Sequence, residues 1–276
     1  MGVSLEKLQQ DAPQLVSTVS MVKQISTENG LDPNHNTAAV VATFDLSGSN
    51  EMGSNRNYSG GLMQRVGDLA LSAGFAFDDD GEVPFSYFHD RAIDLGNITP
   101  ATSHGFVERT WRNHSMGGTR YMAALDWIID SVGLSGVDLG RTSDPLEVRA
   151  SAPHPAFAIF ATDGEPTDSH GDIYEKLRRM SQLPIFVQFI GVGNHDFQFL
   201  KTLDTLEGRL IDNAGFFDSK DVISGAPAPQ KKLFGRRHNS AETPVNASVE
   251  EKILRSMLSE FTQYYPQARS RGLIQA

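Results

Sequence analysis

Five oxygen-bearing side chains stand where a buried element ends or a helix begins. They are Asp45, Ser47 and Ser49 in Asp45-Leu46-Ser47-Gly48-Ser49, Thr119 in Met116-Gly117-Gly118-Thr119, and Asp163 in Asp163-Gly164-Glu165-Pro166. Two carboxylates and three hydroxyls are hard donors. The chain has no cysteine, so a thiolate metal site and a cysteine nucleophile are both excluded. The set suits one small divalent cation, Mg²⁺ or Mn²⁺, that keeps part of its water shell, with Ca²⁺ as a further fit. Taken singly, each group has a plainer role. Thr119 suits a helix N-cap, Asp163 suits a turn before Gly164, and an isolated Asp-x-Ser-x-Ser is an ordinary loop. Their joint placement carries the metal reading.

The elements that must position them follow from periodicity. Residues 38–44, 157–162 and 185–190 are short continuous apolar runs, as in strands buried on both faces of a parallel sheet. Val83 to Phe88 is a weaker run of the same kind. Helical stripes lie between them: Leu62, Val66, Leu69 and Ala73; Met122, Leu125, Ile129 and Val132; Ile173, Leu177 and Met180. A last stripe runs through Val249, Ile253, Leu254, Met257, Leu258 and Phe261. Strands alternating with helices predict an α/β fold, a doubly wound and mostly parallel sheet with helices on both faces. In such folds ligands bind at the carboxyl ends of the strands. Asp45 and Asp163 fall at two such ends. Residues 4–28 add an N-terminal helical segment that Pro13 should split. Phe75, Phe77, Phe85 and Phe88 are expected in the core.

Two stretches interrupt the rhythm. Residues 133–156 are rich in Gly, Ser, Asp and Pro and predict a long loop. Residues 224–248 predict another, and carry Lys231, Lys232, Arg236 and Arg237. This basic cluster suits a solvated loop or a docking segment for an acidic partner. Asp78-Asp79-Asp80 suits a solvated turn, with a second calcium site as the alternative.

The chain as a whole is acidic, with 34 Asp and Glu against 24 Lys and Arg and a formal net charge of −10. That field repels phosphate backbones and argues against nucleic-acid binding. No apolar stretch approaches the roughly 20 residues that span a bilayer, so no membrane role is expected. The start, Met1 to Glu6, lacks the basic and apolar regions of a signal peptide. With the absence of cysteine this predicts a cytoplasmic location.

Asp45-Leu46-Ser47-Gly48-Ser49, Gly118-Thr119 and Thr162-Asp163-Gly164-Glu165 occur in the order of the metal-ion-dependent adhesion site of von Willebrand factor A (vWA) domains, which the chain resembles. The resemblance implies that Ser47 and Ser49 contact the ion directly. It implies that Thr119 joins in the ligand-competent state, and that Asp45 and Asp163 act partly through water. Met follows the second serine in the most familiar form of the motif; here Asn50 does. Nearly the whole chain is similar to stand-alone bacterial vWA proteins of tellurium-resistance stress operons, the TerF/TerY kind. The matching stretches include Ala12-Pro13-Gln14-Leu15-Val16, Phe77-Asp78-Asp79-Asp80-Gly81, Leu183-Pro184-Ile185-Phe186 and Asp212-Asn213-Ala214-Gly215-Phe216-Phe217. This implies an N-terminal helical extension over residues 1–34 and a vWA domain over 35–276. It also implies a non-enzymatic protein-binding module in a tellurium-resistance or stress assembly. Its partner, another protein of such an operon for instance, donates an Asp or Glu carboxylate to the metal.

The alternative class is a metal-dependent hydrolase or phosphatase using the Asp45 loop. Aspartyl-phosphate enzymes place a second carboxylate two residues after the first, where this chain has Ser47. The general base would come from His89, His114, His170 or His195. Each is expected as a surface or turn histidine, because none has an orienting partner in sequence. Gly191-Val192-Gly193 reads as a strand-end turn and not as a dinucleotide fingerprint.

Overall fold

The computed structural model describes residues 3–78, 80–220 and 247–275. The apolar runs become strands β1 (Ala39–Asp45), β2 (Val83–Phe88), β4 (Ala156–Thr162) and β5 (Ile185–Gly191). Two more strands complete one sheet, β3 (Ala92–Ile98) and β6 (Ala214–Asp218), in the order β3-β2-β1-β4-β5-β6. All pairings are parallel except that of β3 with β2.

Each central strand sorts its side chains onto two faces with a period of two. Val40, Ala42 and Phe44 of β1 join one core cluster with Phe157, Ile159 and Ala161 of β4. Val41, Ala158 and Phe160 point into the other. The first cluster is covered by α1 (Leu5–Asp11), α2 (Val16–Glu28), α3 (Leu62–Phe77) and the C-terminal helix α9 (Val249–Ser270). The second is covered by α6 (Tyr121–Ser131), α7 (His170–Met180) and α8 (Gln198–Asp204). Two short helices, α4 (Pro100–Ser103) and α5 (Phe106–Thr110), follow β3. The N-terminal helices thus contribute Leu8, Leu15, Val19 and Val22 to the same core as the sheet. Pro13 opens the short turn that separates α1 from α2. Phe75, Phe77, Phe85 and Phe88 are all buried.

The sequence pattern misses β3 and β6, for different reasons. β3 is an edge strand with mostly exposed or half-exposed side chains. It lacks the apolar run that marks its neighbours. β6 is only five residues long and includes a glycine. The predicted loop 133–156 is irregular up to the start of β4 at Ala156. The predicted basic loop 224–248 lies outside the described residues except for its last two positions. In the acidic turn, Asp80 accepts a bond from Glu82 N at 2.7 Å, and Asp79 is outside the described residues.

The chain leaves β1 for β2 and β3 on one side, and resumes at β4 for β5 and β6 on the other. The strand order therefore reverses between β1 and β4. Loops diverge at that point and open a crevice beyond the carboxyl ends of these two strands. Asp45 and Thr162 are the last residues of the pair.

Phe261 of α9 holds the first core together. Its ring stacks on Phe157 at 4.3 Å and meets Phe77 edge-on at 5.6 Å. Phe261→Ala leaves a cavity between helix and sheet, and should cost about 3–5 kcal/mol. Urea denaturation of the two proteins checks this; a loss below about 1 kcal/mol would mean that the helix does not lean on this ring.

Candidate metal centre

The site begins with the last residue of β1. The Asp45 side chain is fully buried, and both of its oxygens are engaged. Ser47 N donates to Asp45 Oδ1 at 2.8 Å, which tightens the turn out of the strand. Thr162 Oγ1, from the adjacent end of β4, donates to Asp45 Oδ2 at 2.6 Å. The loop then brings both serine hydroxyls to the second carboxylate. Ser49 Oγ donates to Asp163 Oδ1 at 2.9 Å and Ser47 Oγ to the same oxygen at 3.3 Å. The two hydroxyl oxygens lie 3.0 Å apart. Asp163 Oδ2 is buried and has no hydrogen-bond partner among the described residues.

Gly117 brings a third segment alongside. It forms an isolated parallel bridge with Ser47, with Gly48 N donating to Gly117 O at 3.1 Å. A Cβ at Gly117 would stand 2.7 Å from Asp90 Oδ2 and 2.9 Å from His89 Nδ1, so glycine here lets the turn after β2 pack against this segment. Thr119 follows two residues later and is buried. Its carbonyl accepts from Thr167 N at 2.8 Å, and its hydroxyl makes no hydrogen bond among the described residues. It does not cap α6 either. The cap position is Arg120, and Asp168 Oδ2 receives Met122 N at 3.1 Å. Asp45, Ser47, Ser49 and Asp163 therefore form one bonded cluster, with Thr119 two residues beyond the Gly117 contact.

The electrostatics of this cluster are unfavourable. Burial, and then the charge of Asp163, push the Asp45 carboxyl up to about 7, against the bonds from Thr162 and Ser47. Burial also raises Asp163, against the Ser49 bond and the field of His195. Two carboxylates held this close and this dry favour a proton or a cation between them. Among the described residues no group of three His, Cys, Asp or Glu side chains assembles to hold a metal. A cation here would draw on the hydroxyls as well as the carboxylates. The donors are all oxygen, and Asp163 Oδ2 is unspent, so the residues fit a hard divalent ion.

The family model vWA-TerF-like, described as the vWA found in the TerF C terminus, matches residues 37–254. The chain belongs to this vWA family. A relative is the uncharacterized protein YcbR of Bacillus subtilis, 25% identical over 242 residues that span 86% of this chain and 82% of that protein. Copine-E of Dictyostelium discoideum is 27% identical over 115 residues, 41% of this chain and 18% of its own length. Solved vWA structures are more distant. The manganese-loaded TRAP protein of Plasmodium vivax is 18% identical, with a TM-score of 0.47 over 68% of this chain and 71% of that one. The vWA domain of SpRpn10 is 10% identical, with a TM-score of 0.45 over 66% and 87%.

The vWA family is one of protein-interaction modules; the histidines lie as follows. His170 lies 3.6 Å from Glu165 with half its side chain exposed. His195 reaches Asn55 at 3.4 Å. His89 is a turn histidine, as expected, but not an exposed one. It is buried, and its Nδ1 accepts Asp90 N at 2.6 Å. That bond commits the ring nitrogen to the turn after β2. Sequence reasoning also missed four residues that brace the vWA loop. Thr162 is one. Tyr58 OH donates to Asp45 O at 2.7 Å, and Tyr121 OH to Gly164 O at 2.7 Å. Asn50, noted only as a departure from the motif, donates to Asp163 Oδ1 at 3.0 Å. Thr162 had a signal, a polar residue closing an apolar strand. Tyr58 had none.

A raised carboxyl in the folded protein means that the folded state holds its proton more tightly than the unfolded chain. Its stability contribution is complete below about pH 4, the ordinary aspartate value, and is lost as pH rises through about 7. EDTA-treated protein should therefore be less stable at pH 8 than at pH 5, by on the order of a few kcal/mol. Asp45→Asn should flatten that slope. Urea midpoints at the two pH values measure it, and equal slopes in both proteins would contradict the assignment to Asp45.

Proposed function

We propose that this vWA domain is a metal-dependent protein-binding module. Its cation, Mg²⁺ or Mn²⁺ with Ca²⁺ as the further fit, sits in the Asp45 loop and receives an Asp or Glu carboxylate from a partner protein. The observation that carries this reading is the buried pair Asp45 and Asp163, linked by Ser47, with Ser49 also bonded to Asp163 and Asp163 Oδ2 left without a partner among the described residues. Ser47 and Ser49 would hold the ion directly. Asp45 and Asp163 would hold its waters and fix the serines, and Thr119 would join when a partner docks. A bound cation there supplies positive charge to an otherwise acidic molecule of net charge −10, and an acidic side chain is its natural counterpart.

The family match to the vWA of TerF supports a place in a tellurium-resistance or stress-response assembly, with other proteins of that system as partners. A cytoplasmic location is supported by the absence of cysteine in all 276 residues. Among the described residues no helix is long and apolar enough to cross a membrane.

Mg²⁺ or Mn²⁺ should raise the melting temperature of the wild type, since a ligand at 100 times its Kd stabilises by about 2.7 kcal/mol. Asp45→Ala and the double variant Ser47→Ala/Ser49→Ala should lose that shift. Affinity capture from lysate then tests the partner. Proteins retained by the wild type should be released by EDTA and be absent with Asp45→Ala. Partners that survive both treatments would sink the metal bridge. Metal-dependent phosphatase turnover abolished by Asp45→Ala would replace this reading with an enzymatic one.

A further inference from the structure

The residue after the loop, Asn50, is completely buried. A buried amide without partners would cost several kcal/mol, on the order of 2–7, and here none of it is idle. Asn50 Nδ2 donates to Asp163 Oδ1 at 3.0 Å, to Asp45 O at 3.1 Å and to Ser47 Oγ at 3.3 Å. Asn50 Oδ1 accepts Asn57 Nδ2 at 3.0 Å. The two obligate acceptors, Asp163 Oδ1 and Asp45 O, fix which way the amide faces, and the Asn57 bond holds its other end. A flipped Asn50 would turn its carbonyl oxygen onto a carboxylate and a backbone carbonyl, and its NH₂ onto the NH₂ of Asn57.

Asn57 is itself buried and held. Its N–H donates to Asn50 O at 3.0 Å, and its carbonyl accepts Met63 N at 2.9 Å at the start of α3. Its amide packs against Gly193, beyond the end of β5. A Cβ there would stand 3.1 Å from both Asn57 amide atoms, and φ is +93°. The two amides therefore run from the β5 end to the Asp163 carboxylate.

The result at Asp163 is a division of labour between its oxygens. Oδ1 takes every bond the protein offers, from Ser49, Ser47 and Asn50. Oδ2 takes none among the described residues. Hydroxyls alone would leave the carboxyl more freedom, because a serine O–H rotates to follow its acceptor. The Asn50 amide is planar and anchored at its far end, so it sets a direction.

We propose that Asn50, oriented by Asn57, is a positioning residue of the cation site: it pins Asp163 through Oδ1 so that Oδ2 is the oxygen presented to the cation. The inference rests on the metal reading given above. An apolar side chain at this position would leave the Asp163 orientation to the two serines.

The test is Mn²⁺ titration of the full chain, followed by the electron paramagnetic resonance signal of free Mn²⁺, for wild type, Asn50→Leu, Asn50→Ser and Asn57→Leu. Removal of a residue that orients a ligand typically weakens metal affinity about 10–100-fold. That loss is expected for Asn50→Leu. Asn57→Leu should show a smaller loss, and Asn50→Ser, which keeps one donor, an intermediate one. Melting in EDTA separates this from a folding defect, and the serine and Asn57 variants carry the comparison if Asn50→Leu does not fold. A crystal structure of a folded variant at position 50 grown in EDTA should show the Asp163 carboxylate turned from its wild-type orientation. Affinity within about twofold of wild type with Asp163 unmoved would overturn the positioning role alone. A wild type that binds no Mn²⁺ would overturn the cation site and this role together.

Discussion

Burying two carboxylates side by side is the constraint around which this molecule is arranged. An isolated ionised carboxylate in an apolar interior is costly, and a second one nearby multiplies the difficulty. Asp45 and Asp163 are both inaccessible to solvent, and both titrate upward. Nothing in the core requires them. The surrounding strands are Val, Ala, Phe and Ile, and apolar residues at these two positions would be cheaper to fold. What the fold gains from keeping them is a place with stored negative potential, opening at the crevice between β1 and β4.

The rest of the structure answers that constraint in layers. Parallel strands deliver both aspartates to the same edge of the sheet, and the reversal of strand order puts them on neighbouring strands. Thr162, Ser47 and Ser49 then supply hydroxyl donors, which stabilise the charge without cancelling it. A lysine or arginine in the same place would have neutralised the pair and closed the site to a cation. Tyr58 and Tyr121 brace the two loop backbones from opposite cores, and burial keeps both phenols protonated donors. Backbone bonds lay a third loop against the first, and the glycines at 117 and 118 let the Asp90 carboxylate pack on it.

Much of this was legible in the sequence where a physical signal is strong and local. Strands buried on both faces leave continuous apolar runs, so β1, β4 and β5 and the helices beside them were predicted in place. The ends of those runs identified Asp45 and Asp163. The edges of the sheet were not legible, since β3 faces solvent with Asp94 and Asn97 and β6 is short. The braces were not legible for another reason. Tyr58 and Asn57 act through tertiary bonds to a loop several residues away, and nothing in their spacing announces a partner. Asn50 illustrates the limit well. By its position it was a deviation from a motif; only its four amide contacts reveal a role.

Anomalous diffraction from crystals soaked in Mn²⁺ addresses the central claim most directly, because it locates the ion without assuming its ligands. The account predicts one strong peak within bonding distance of Ser47 Oγ and Ser49 Oγ, on the side of Asp163 that bears Oδ2. The peak should vanish in Asp45→Ala crystals treated in the same way. A wild-type map with no peak at the ends of β1 and β4, or with manganese bound only elsewhere, would contradict it.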